Sequence, residues 1–225
     1  MNPRRLPTAA ALAGLALVLS ARAASPAPGP QHGLKLPATF TGFLPCADCP
    51  GVRWHLDLWP DGVYALQREW SGKAARDEIG TWRYDAGRKA FTLSSGSEVA
   101  IQVEVKGPRT LRPLDFEGRP IVSNLPYDLK ATSVFSPADV TVVLNGEMTE
   151  QGAATVLAEC RTGRRYPIAK EADFGALRKA YREKAKPAGA PLFVTVNASI
   201  VARDGGRTVV VRKFLSATPG ETCRR

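Results

Sequence analysis

TGFLPCADCPGVRWHLDLWPDGVYAL spans residues 41–66, and its reading decides the fold. Val52, Trp54, Leu56 and Leu58 alternate with Arg53, His55 and Asp57, which is the period-two pattern of a strand with one apolar face. Pro60-Asp61-Gly62 supplies a hairpin turn, and Val63 to Trp70 returns as a second strand. Just before the first strand, Cys46 and Cys49 stand two residues apart in a Pro-flanked turn. The pair can be read as a redox couple, as half of a metal site or as a short staple.

Outward from this hairpin the same grammar continues. Ile79 to Tyr84, Ala90 to Leu93, Val99 to Val105 and Thr110 to Phe116 follow at hairpin spacing, and none of this half shows a 3.6-residue period. Seven or eight short strands without helices predict a closed or nearly closed up-and-down barrel, because closure removes exposed edges; a two-sheet sandwich is the competing arrangement. Trp54, Leu56, Leu58, Tyr64, Leu66, Trp82, Tyr84 and Phe91 would face its interior. Eight strands can enclose one small apolar ligand, but a filled core needs the same side chains and is the favoured reading.

The second half is different. Val140 to Leu144, Ala154 to Cys160 and Arg165 to Ile168 read as strands. Asp173 to Lys184 then carries Phe174, Leu177, Ala180 and Tyr181 on one helical stripe, with Asp173 placed to cap it. Pro191 to Val201 and Thr208 to Leu215 follow, split by the turn Asp204-Gly205-Gly206. Three strands, a helix and two strands is the order of a five-stranded OB-type barrel. The fold class is therefore all-β dominated with one helix. Charge shifts at the same place. Residues 25–138 carry 13 basic and 12 acidic side chains, and residues 139–225 carry 15 and 9. The domain boundary falls at Ser136-Pro137-Ala138, giving domains over 39–136 and 139–225.

The chain opens with Arg4-Arg5, an apolar stretch from Leu12 to Leu19 and the small-x-small site Ala21-Arg22-Ala23. This predicts a secretory signal peptide over residues 1–24, hence an exported, periplasmic protein. A Pro/Gly-rich leader over 25–38 reads as disordered, with His32 solvated within it. The first cysteine is Cys46, so no covalent lipid anchor is readable.

Export places the four cysteines in an oxidising compartment. Cys160 and Cys223 are best paired as a structural disulfide, worth roughly 4 kcal/mol for a loop of about 64 residues. Closing about four residues between Cys46 and Cys49 gains only roughly 2 kcal/mol. A thioredoxin-type site does not fit, because that motif opens a helix in a βαβ unit. A structural zinc site wants more ligands than one Cys-x-x-Cys pair. Cu(I) is less demanding, since two soft thiolates suffice, with His55 as an accessory third ligand. An inert turn disulfide remains the plain alternative.

Gly42 to Val52, followed by Leu56-Asp57-Leu58 and Pro60-Asp61-Gly62-Val63-Tyr64, resembles the N-terminal domain of the NlpE family. Gly146-Glu147-Met148-Thr149, Thr162 to Pro167 and the helix from Asp173 resemble that family's C-terminal domain. The resemblance implies a lipocalin-like barrel followed by an OB-type domain, no catalytic activity, and a link to copper resistance and envelope stress. It implies the Cpx envelope-stress machinery and a periplasmic thiol oxidase as partners. Cys46 and Cys49 match the family's Cys-x-x-Cys, and Cys160 with Cys223 match its C-terminal disulfide. The missing anchoring cysteine departs from the family's lipoproteins.

Other classes find little support. There is no Ser/His/Asp order, no His-rich cluster and no phosphate-cradling glycine loop, and the chain has 2 histidines. The basic OB-type half invites a nucleic-acid reading, but the strands from Val140 to Ile168 offer only Tyr166 as a stacking aromatic. An anionic membrane surface or an acidic protein is the better expectation for that charge.

Overall fold

The computed structural model describes residues 31–96 and 99–223. The expected signal peptide, and the leader as far as residue 30, lie outside the described residues. Eight strands form the first domain: β1 Ala38–Cys46, β2 Cys49–Leu58, β3 Val63–Trp70, β4 Arg76–Asp85, β5 Ala90–Ser94, β6 Ile101–Gly107, β7 Thr110–Pro113 and β8 Leu129–Ala131. Each pairs antiparallel with the next, and β8 closes the barrel on β1 through Phe40↔Ala131 and Thr41↔Lys130. Closure decides against the sandwich.

Two of these strands were not predicted. β1 is broken in sequence by Gly42 and Pro45, and β8 has only three residues. β6 begins at Ile101 rather than Val99. β7 stops at Pro113 rather than reaching Phe116, since Pro has no N–H for a ladder.

The eight side chains assigned to the interior all belong to one apolar cluster, completed by Phe40, Leu93, Leu111 and Leu129. They pack against one another as a core. The leader contributes to it as well. Leu34 is 3% and His32 9% exposed, so from residue 31 onward this segment packs against the barrel and His32 is not solvated. The imidazole lies 5.3 Å from the Phe91 ring, with Trp82 and Tyr84 edge-on at 5.9 and 5.6 Å. Its Nδ1 accepts the Leu34 amide at 3.1 Å. Burial pushes its pKa down.

The second domain comprises β9 Val140–Gln151, β10 Ala154–Glu159, β11 Arg165–Pro167, α1 Phe174–Lys184, β12 Leu192–Arg203 and β13 Gly206–Thr218. The sheet order is β11-β10-β9-β12-β13, with a parallel bridge from Ile168 to Val209 bringing its edges together. β9 runs on through Asn145-Gly146 to Gln151, past the Leu144 where the sequence reading ended this strand. A Cβ on Gly146 would stand 2.6 Å from the Ala158 carbonyl oxygen, so the glycine serves close packing rather than a turn. The expected helical stripe is the buried face of α1. Asp173 precedes α1 but makes no side-chain cap; its Oδ2 accepts the Phe214 amide at 2.7 Å and ties the helix start to β13. Among the described residues, no helix is long and apolar enough to cross a membrane.

The domains share a seam. Val63, Ala65 and Ile79, on the outer face of β3 and β4, are buried in the same apolar cluster as the OB-type core. Polar contacts flank it: the Thr141 amide donates to Asp77 at 2.7 Å, and Arg161 donates to the Ile79 carbonyl at 3.3 Å.

Candidate redox and metal site

Cys46 and Cys49 face each other as the last paired residues of the β1–β2 hairpin, around the two-residue turn Ala47-Asp48. They form a disulfide with Cα atoms 5.2 Å apart. The cysteines therefore end and begin strands, rather than standing in a loop ahead of one. Ala47 and Asp48 are exposed, and neither cysteine enters an apolar core. Gly51 shapes the hairpin. Its φ of +148° favours glycine, and the Phe43 ring lies where a Cβ would stand, within 2.4 Å.

The register puts His55 opposite Thr41. Six residues of extended strand separate it from Cys49, about 20 Å. Its Nε2 lies 3.1 Å from the Ser136 carbonyl and 3.3 Å from Asp57 Oδ1. The expectation of an accessory ligand is thus corrected: strand geometry holds His55 away from the cysteines and commits it to the interdomain linker. Among the described residues no group of three or more His, Cys, Asp or Glu is placed to hold a metal ion. The hairpin's own donor set is two sulfurs, which fits two-coordinate Cu(I) once the disulfide is reduced and does not fit tetrahedral zinc.

His55 belongs to a cluster that sequence reasoning missed. Asp57, on the outward side of β2, is fully buried because residues 132–138 lie across it. It accepts from the Thr39 hydroxyl at 2.6 Å and from the Ala138 amide at 2.9 Å. The Ser136 amide donates to Thr39 Oγ1 at 3.1 Å. The hydrogen bond to Asp57 is the largest cause raising the His55 pKa. The register of β1 on β2 pairs Thr39 with Asp57, and with β1 unread in the sequence no signal there pointed to this cluster.

Cys160 and Cys223 form the second disulfide, with Cα atoms 5.1 Å apart. The buried Glu159 organises the turn beside it, accepting the amides of Arg161 and Thr162 at 2.9 and 2.7 Å. The Cys223 amide donates to Glu147 at 3.1 Å. The tail is thereby fastened across β9 and β10.

Comparison with known proteins agrees with both halves. The NlpE N-terminal domain matches residues 40–124 and the NlpE C-terminal OB domain matches residues 138–224. Lipoprotein NlpE of Escherichia coli (strain K12) is 29% identical over 187 residues, covering 80% of this chain and 75% of the relative. A crystal structure of the Cpx pathway activator NlpE from Escherichia coli matches with 24% identity over 84% of this chain and 100% of that one, at a TM-score of 0.40. With both domains matched in their family order, the chain belongs to the NlpE family.

Proposed function

We propose that this protein is a non-enzymatic, periplasmic component of envelope-stress signalling whose Cys46–Cys49 pair is its responsive element. The E. coli relative is described as a Cpx pathway activator, and the same pathway is the proposed output here. The observation that carries the reading is the position of the disulfide, at the tip of a hairpin and outside both cores. Opening it leaves the barrel's packing in place. Two electrons and two protons from a dithiol donor convert the bridge to two thiols. Loss of both protons then gives the thiolate pair that takes Cu(I). A thiol oxidase reverses the first step. Oxidation and copper loading therefore compete for the same sulfurs.

A short local ring offers little thermodynamic resistance to reduction. In graded reduction with thiol mapping, Cys46–Cys49 is expected to open before Cys160–Cys223. Only the reduced protein should then take Cu(I) from a competing chelator. If the long-range bridge opens first, or the Cys46→Ser/Cys49→Ser protein holds copper as tightly, the reading fails. The filled barrel interior weighs against a carrier of an enclosed apolar ligand.

A further inference from the structure

A cleft of about 610 Å³ opens between the barrel and the OB domain, bounded by Trp59 and Asp61, Phe135 of the linker, and Arg164, Arg165 and Arg207. It lies at the end of the barrel away from the Cys46–Cys49 hairpin, since β2 runs from Cys49 at one end to Leu58 at the other. Four guanidiniums line it (Arg203 is the fourth), against the two carboxylates of Asp61 and Asp204.

Asp61 is shared. Arg207 pairs with its Oδ2, while Arg164 Nε approaches the same oxygen at 3.4 Å and also donates to the Asp61 carbonyl. Arg207 is held beneath this pair, its guanidinium 4.8 Å from the Trp59 ring centroid and 5.4 Å from that of Tyr166. Its Nη1 is buried with no acceptor, and Asp61, shared with Arg164, is its one carboxylate partner among the described residues. Arg203 is committed to Glu171 at 2.6 Å. Arg165 is exposed and has no ion-pair partner among the described residues. The cleft thus presents under-neutralised positive charge on an aromatic wall at a domain boundary, a setting in which ligand sites commonly form.

We propose that this cleft binds a phosphomonoester, with the phosphate between Arg164 and Arg165 above Arg207 and the apolar or sugar-like body against Phe135 and Trp59. A phosphomonoester carries nearly two negative charges at neutral pH, and with Arg203 paired to Glu171 the three remaining guanidiniums face only the carboxylates of Asp61 and Asp204. Planar guanidiniums present paired donors to its oxygens. The bound group would touch the OB domain through the arginines and the barrel through Trp59, so it would also hold the two together. The site is independent of the proposed thiol chemistry.

The test uses the full mature chain at low ionic strength, titrated calorimetrically with phenyl phosphate and with inorganic phosphate. The expected result is binding of phenyl phosphate, tighter than inorganic phosphate because the ring adds contact. Arg165→Gln should weaken it about tenfold or more, the value of one charge-assisted hydrogen bond. Arg165 is exposed and unpaired, so this variant keeps the fold. Lys213→Gln removes the same charge from an exposed position outside the cleft and should leave binding unchanged, as should Cys46→Ser/Cys49→Ser. Co-sedimentation with phosphatidylcholine vesicles containing phosphatidic acid separates the sources. Vesicle binding that phenyl phosphate displaces points to a lipid phosphate, and soluble binding alone points to a free ester. Absence of binding in both arms, or equal weakening by Arg165→Gln and Lys213→Gln, overturns the proposal.

Discussion

Removing the carboxylate of Asp57 would strand two donors at once, the Thr39 hydroxyl and the Ala138 amide. Asp57→Ala is expected to cost about 3 kcal/mol in urea unfolding, the scale for taking away a buried charged acceptor. The two histidines should give opposite pH responses. The His55 pKa is raised, chiefly by Asp57. Its stabilising contribution is full below the ordinary value of about 6.5 and is lost as pH climbs through the raised folded value. The His32 pKa is lowered by desolvation, so protonation on the acid side of 6.5 opposes its burial and loosens the leader. Unfolding curves from pH 5 to 8 should therefore lose their high-pH decline in His55→Gln and their acid decline in His32→Leu. Neither role could be read from residue type. Period two placed Asp57 on an outward face, but whether solvent or linker covers that face is a tertiary matter.

At the level of elements, the two disulfides invite a direct comparison. Cys160→Ser/Cys223→Ser should lower stability by about 4 kcal/mol, and Cys46→Ser/Cys49→Ser by at most about 2 kcal/mol. Calorimetric melting of both double variants checks this, and equal losses would contradict it. For α1, Leu177→Ala removes a fully buried side chain and should cost about 3 kcal/mol. The helix, its buried stripe and most strands were legible because amphipathic periodicity is a local property. β1 and β8 were not, because one contains Gly and Pro and the other is too short to show a period. The Cys-x-x-Cys hairpin was legible as a motif. The separation of His55 from it was not, because that depends on register.

The whole molecule is organised by the seam. Sequence alternation defined two domains but gave no sign that Val63, Ala65 and Ile79 serve the second core from the surface of the first. An apolar outward position on a barrel strand looks the same whether it meets solvent or a neighbouring domain. Ile79→Asp should leave both barrels closed but uncouple them, through a buried charge with no partner. Differential scanning calorimetry is expected to resolve a single cooperative transition into two, with the OB-type domain melting first. A single unbroken transition at the original temperature would show that the flanking polar contacts suffice to dock the domains.

The β1–β8 closure also sets a schedule. Phe40 and Thr41 meet Ala131 and Lys130 only after some ninety intervening residues have been made, and non-local pairing of this kind is slow to form. As the chain emerges N-terminus first, the β1–β2 hairpin can assemble at once, so the sulfurs of Cys46 and Cys49 meet early. Cys160 must wait for Cys223, at a sequence separation of 63. One bridge thus forms within a single local hairpin, and the other only after the strands and helix of the OB-type domain have been made.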